Sequence, residues 1–183
     1  MGIGTKESAC SEDSNTNNRT FYFLSKIKYD FPSSTGIYGG SELNSSKSLA
    51  FELLHGSKEK VSVGMGIEYQ YPRKYIDHRS REISFLPVYI KWQYVFDICK
   101  NYDIYVGGQY GYNFVFLNNN YSKQYESKGD AHFGITLGNI IYKNFLLESS
   151  LTVNSGKLTN KETDNKTGIR CFTLSLGFGI RFD

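Results

Sequence analysis

The sequence predicts an eight-stranded antiparallel β-barrel that spans a membrane, with up-and-down topology, four long loops at one end and three short turns at the other. Three observations carry this: strands whose two faces differ in chemical kind, connections whose lengths alternate along the chain, and aromatic residues gathered toward the strand ends.

The last strand shows the first observation most clearly. Taken as every second residue it reads Phe172, Leu174, Leu176, Phe178, Ile180 and Phe182, and the residues between are Cys171, Thr173, Ser175, Gly177, Gly179 and Arg181. A side-chain period of two marks a strand. A strand face turned to water usually carries Lys, Glu and Asp, whereas this one carries glycine and hydroxyls. Bulky hydrocarbon opposite small polar groups suits lipid outside and a crowded polar lumen inside.

Composition agrees. Hydrophobic residues make up 39% of the 183, mean hydropathy is −0.43, and no apolar run approaches the roughly 20 residues of a spanning helix. A helical membrane protein is excluded, but a barrel is not, because only alternate residues meet lipid. The 15 Tyr and 13 Phe favour strands. A net charge of +3 without a basic stripe gives no argument for nucleic acid.

Eight strands are expected near 19–31, 47–55, 60–72, 82–96, 102–116, 131–142, 145–154 and 170–182. The connections alternate: long (32–46), short (56–59), long (73–81), short (97–101), long (117–130), a tight turn at Lys143-Asn144, and long (155–169). Outer-membrane barrels segregate long outer loops from short periplasmic turns in this way. Residues 1–18, rich in Gly, Ser, Thr, Asn and acids, form a flexible lead-in, and 19–183 form the barrel domain.

Following apolar parity gives one continuous outer face, from Phe21 and Phe23 through Leu53, Met65, Ile90, Val106, Ile135 and Leu151 to the last strand. Phe21, Trp92, Tyr94, Tyr102, Phe145 and Phe182 gather near the short turns; Tyr29, Tyr69, Tyr71, Tyr112, Phe114, Phe133 and Phe172 gather near the long loops. Aromatic rings favour both membrane interfaces, and an aliphatic waist is expected between these girdles. On the inner face, Lys26, Lys28, Lys91 and Arg181 are expected to pair with Glu52, Glu68 and Glu148. Eight strands leave room for side chains to fill the interior, so these charges form a plug and not a pore.

Three stretches resemble the family of small outer-membrane β-barrels that includes the OmpA membrane domain and the OmpX/Ail type: Phe85-Leu86-Pro87-Val88-Tyr89-Ile90-Lys91-Trp92-Gln93-Tyr94, Tyr105-Val106-Gly107-Gly108-Gln109-Tyr110-Gly111-Tyr112, and Leu176-Gly177-Phe178-Gly179-Ile180-Arg181-Phe182. The likeness spans most of 19–183, with Asp183 a departure from the family's terminal aromatic. The resemblance implies the bacterial outer membrane as location and contact with the barrel-assembly machinery through the last strand. It implies roles from structural anchoring to adhesion and fixes none of them.

No catalytic, cofactor or metal residue is assigned. His55, His78 and His132 are too scattered for a metal site. Some barrels of this size are lipid A enzymes with a His and a Ser near the outer rim, and His132, Ser175 and Glu148 are the residues to weigh for that; a lumen histidine in a polar network is the plainer reading. Arg73, Lys74, Arg79 and Arg81 form a basic cluster on a long loop, suited to lipopolysaccharide phosphates or simply solvated. Gly36-Ile37-Tyr38-Gly39-Gly40 is either a contact segment or a flexible turn. Cys10 and Cys99 fall on the short-turn side and either pair or stay free; Cys171 should be unpaired. The expected protein is a non-enzymatic outer-membrane barrel, monomeric, with lipid, lipopolysaccharide and an extracellular ligand as partners. The alternatives are a lipid A-modifying enzyme and a soluble lipocalin-like barrel with its faces reversed.

Overall fold

A computed structural model describes residues 20–35, 43–56, 60–75 and 81–182. The 1–18 segment with Cys10, the 36–40 glycine segment, His78, Arg79 and Asp183 lie outside the described residues. Eight strands follow one another: β1 (Thr20–Thr35), β2 (Ser46–Gly56), β3 (Val61–Lys74), β4 (Glu82–Cys99), β5 (Tyr102–Leu117), β6 (Tyr125–Ile141), β7 (Phe145–Asn160) and β8 (Lys166–Phe182). Each pairs antiparallel with its neighbour, and β1 pairs with β8 to close the barrel. Closure leaves no strand edge open, which a strand in hydrocarbon requires.

The apolar parity set faces outward. Phe23, Met65, Ile90, Leu137 and Leu176 are all more than half exposed to the surroundings, while Lys26, Lys28, Glu52, Glu68 and Lys91 are nearly inaccessible inside. The soluble arrangement, with that apolar face inward, is not what forms. Between the girdles the belt is mostly aliphatic, with Phe51 and Phe178 also pointing outward within it, as parity places them.

At one end the connections are 57–60, 100–101 and 142–144, and at the other they are 36–45, 75–81, 118–124 and 161–165. Tyr142 and Lys143 both adopt left-handed backbone, which matches the twist of the hairpin they close.

The strands run further at the second end than the sequence suggests. Residues 125–130 and 155–160 belong to β6 and β7, and 166–169 to β8; the expected long loops 117–130 and 155–169 shrink to a six-residue helix α1 (Asn119–Gln124) and a turn at 161–165. The physical reason is that these segments rise above the membrane, where the alternation changes sense. Leu158 and Ile169 point inward while Lys157 and Arg170 point out. With water outside, the outward residues become polar, and the segment resembles a loop in composition while keeping its ladder.

Candidate functional site

The lumen is stacked in layers. Nearest the short turns, Tyr22, Leu24, Leu54, Tyr105, Ile140 and Leu146 form an apolar cluster. Nearest the other end, Leu43, Ile83, Phe85, Val115, Leu158 and Ile169 form a second one, joined by Tyr75, Tyr121 and Cys171. Both depart from the polar lumen that the sequence leads one to expect. Their signal was present: Ile83 and Phe85 share parity with Tyr89 and Lys91, which are inward.

Between the clusters lies the charged layer. Glu52 meets Lys26 at 2.6 Å and Lys91 at 3.0 Å. Glu148 meets Lys26 at 3.0 Å, Lys28 at 3.3 Å and Lys91 at 2.9 Å. Glu68 meets Lys28 at 2.8 Å. Tyr89 donates to Glu52 at 2.9 Å and Tyr105 to Glu148 at 2.6 Å, so the carboxylates also receive neutral donors. Three ammonium groups face three carboxylates, with the lower apolar cluster on one side. Such charges are tolerated only when paired and hydrogen-bonded.

The small residues of β8 make this geometry reachable. A Cβ at Gly177 would meet Lys28 Cγ at 2.8 Å, and one at Gly179 would meet Lys26 Cγ at 2.6 Å. The two lysines of β1 thus pass across β8 to reach Glu148 on β7. Of the seven residues expected in the network, Arg181 is placed elsewhere: its guanidinium lies 4.1 Å from the centroid of the Tyr22 ring, in the apolar layer.

A second polar layer sits on the charged one. Gln70 donates to Glu68 at 3.0 Å and accepts from Asn154 at 3.1 Å. His132 Nδ1 lies 2.7 Å from Asn154 Oδ1 and its Nε2 lies 3.3 Å from Gln109 Oε1. His132, Ser175 and Glu148 are not brought together, because Ser175 lies opposite Asp30 on β1 and Glu148 is held by lysines. Among the described residues, no group of three or more His, Cys, Asp or Glu is placed to hold a metal ion.

The expected basic outer cluster divides. Arg73 is not on a loop: it is a β3 residue, 1% exposed, that points into the lumen. It donates to Asp30 at 3.1 Å, Thr173 at 3.1 Å and Gln70 at 3.3 Å. A register shift between Gln70 and Arg73 carries its side chain inward, which simple alternation does not reveal. Lys74 stays outside, 3.5 Å from Glu82. Arg81 lies over the Tyr121 ring at 5.2 Å and the Tyr125 ring at 6.0 Å, clamping α1 to β6. The Tyr121 hydroxyl, on that helix, is pushed up by burial. On the lipid-facing wall, a groove of about 570 Å³ opens around Ser25, lined by Phe23, Phe51, Leu53, Met65 and Phe182.

An interior this full, wrapped in an apolar belt, defines a transmembrane β-barrel. Solved structures of that class share the fold. The chain is similar to the outer membrane protein OprG from Pseudomonas aeruginosa, with 15% identity, a TM-score of 0.58, and 91% of this chain and 97% of that one covered. It is similar to Neisserial surface protein A, with 14% identity, a TM-score of 0.56, and coverage of 90% and 99%. It is also similar to Ail of Yersinia pestis, solved with the heparin analogue sucrose octasulfate, with 16% identity, a TM-score of 0.51, and coverage of 88% and 99%. No family model and no curated protein matches the chain.

Proposed function

We propose that the chain is a non-enzymatic integral protein of the bacterial outer membrane, serving envelope integrity or surface binding through the end that carries α1 and the longer connections. The observation that supports this most is the state of the lumen. Its central lysines and glutamates are committed to one another, and apolar clusters lie toward both ends, which supports a filled interior over a channel. What remains free to act is the outer end. Lys74 and Arg81 carry positive charge there, suited to lipopolysaccharide phosphates or to an anionic extracellular ligand, and Ail's co-structure with a sulfated sugar is a precedent on the same fold.

The test uses cells expressing the full chain. The protein should be recovered in the outer-membrane fraction and migrate differently in SDS before and after boiling. His132→Ala should leave the lipid A profile of those cells unchanged. Altered lipid A in wild-type cells that reverts with His132→Ala would overturn the non-enzymatic reading, and a folded monomer soluble without detergent would overturn the membrane reading.

A further inference from the structure

Above the outer girdle, β6, β7 and β8 continue as a three-stranded wall whose outward face is cationic. Lys128 on β6 stands directly opposite Lys157 on β7, and Lys157 stands opposite Gly168 on β8. Arg170 and Lys166 flank Gly168 at the adjoining outward positions of β8, and all four cations are exposed. Like charges directly opposite one another weaken a sheet. Here Asp130 approaches it, 3.6 Å from Lys157, and Glu126 lies two residues from Lys128 on the same face of β6, so four cations face two carboxylates.

The centre of this ring is open. A Cβ at Gly168 would meet nothing within 4 Å, so Lys157, Lys166 and Arg170 surround a vacant notch floored by bare backbone. Directly below lies lipid-facing surface: Phe133, Val153 and Phe172 form one cross-strand row, followed by Ile135, Leu151 and Leu174. Along β7, Lys157 is four residues above Val153, about 13 Å of strand at ~3.3 Å per residue and less in height once strand tilt is counted. Lysine and arginine stems span the remainder, keeping their heads at the level of lipid headgroups.

We infer that the notch over Gly168, bounded by Lys157, Lys166 and Arg170 with Lys128 beside it, binds a phosphate of an acylated lipid whose chains lie on the Phe133–Val153–Phe172 row. An anion there converts a repulsive lysine pair into a bridged one through charge-assisted hydrogen bonds. The continuity of cationic notch and apolar wall selects an amphiphile over a free anion, and the phosphorylated glycolipid of the outer leaflet has that form. The inference rests on the proposed outer-membrane placement. It concerns the side wall of the barrel, not the Lys74 and Arg81 rim.

The experiment titrates detergent-folded full-length protein with bisphosphorylated lipid A, with lipid A stripped of both phosphates, and with inorganic phosphate. Binding is read with a fluorescent lipid A analogue. Loss of the phosphates should weaken binding at least about tenfold, and Lys157→Gln/Arg170→Gln should do the same, as expected for two lost charge-assisted contacts. Gly168→Leu fills the notch with every charge intact and no clash at Cβ, and should weaken binding comparably. Lys123→Gln, on α1, should not. Equal affinity for stripped lipid A, or wild-type affinity in both notch variants, overturns the inference. Competition by inorganic phosphate at the concentrations effective for lipid A shows a free-anion site and overturns it as well. Each variant is checked for the boiling-dependent shift in SDS mobility; loss of that shift in the wild type refutes the barrel reading, a separate failure.

Discussion

Arg73 Nη2 lies 3.1 Å from Asp30 Oδ2, and both side chains are wholly buried, so β3 and β1 are joined through the lumen beneath the outer apolar cap. Arg73→Ala leaves the Asp30 carboxylate buried without its cation, which costs about 3–5 kcal/mol. Lys74→Ala, one residue on, removes a half-exposed partner of Glu82 and should cost about 0–1 kcal/mol. Urea unfolding of the two variants in the same detergent reads the difference; equal midpoints would mean that Arg73 is not inside.

Glu148 gathers Lys26, Lys28, Lys91 and Tyr105 onto one carboxylate. Glu148→Gln therefore unbalances the layer and should lose about 3–5 kcal/mol. Adding Lys91→Met restores equal numbers of lysines and carboxylates and should recover more than half of that loss. A double variant no more stable than Glu148→Gln alone would show that pairing in the layer does not govern its energy.

A Cβ at Gly138 would collide with the Tyr105 ring. Gly138→Ala should displace that ring, withdraw its hydroxyl from Glu148 and cost about 1–3 kcal/mol. In a Tyr105→Ala background the same change should be nearly neutral, because neighbouring substitutions that share a contact are not additive. Additive losses in a double-mutant cycle would refute the contact.

Cys99 is exposed beside the 100–101 turn and Cys171 is buried in the lumen. In a Cys10→Ser background, a maleimide should label one thiol in the folded protein and two after boiling. With intact cells, Cys99 should react only once the outer membrane is permeabilised. Labelling of Cys99 from outside would invert the orientation.

How much of this was legible in the sequence differs by region. Within the membrane, water is absent outside and crowding is extreme inside, so side-chain parity gives each strand its faces, as β8 shows from Phe172 to Phe182. Above the membrane the outward residues become polar, and 125–130 and 155–160 lose the contrast that marks a strand. The six central charges, from Lys26 to Glu148, follow from parity alone. Arg73 does not, because a register shift turns it inward, and Arg181 does not, because a face says nothing about height along the lumen. The apolar layers went unread since Ile83 or Leu158 inside a polar lumen resembles a residue out of phase.

The glycines at 177 and 179, through which the lysines of β1 reach β7, bear on how the barrel comes into being. The charged layer draws Lys26 and Lys28 from the first strand and Glu148 from the seventh, so Glu148 gains these two partners only when β1 meets β8. An unclosed sheet in hydrocarbon would leave Lys26 and Lys28 with Glu52 and Glu68 but strip Glu148 of two of its three lysines, an undercompensated carboxylate costing several kcal/mol. Seam formation and the compensation of Glu148 become one step. A partly zipped intermediate then has little standing in the bilayer, and the molecule is driven to be either wholly inserted or not inserted at all.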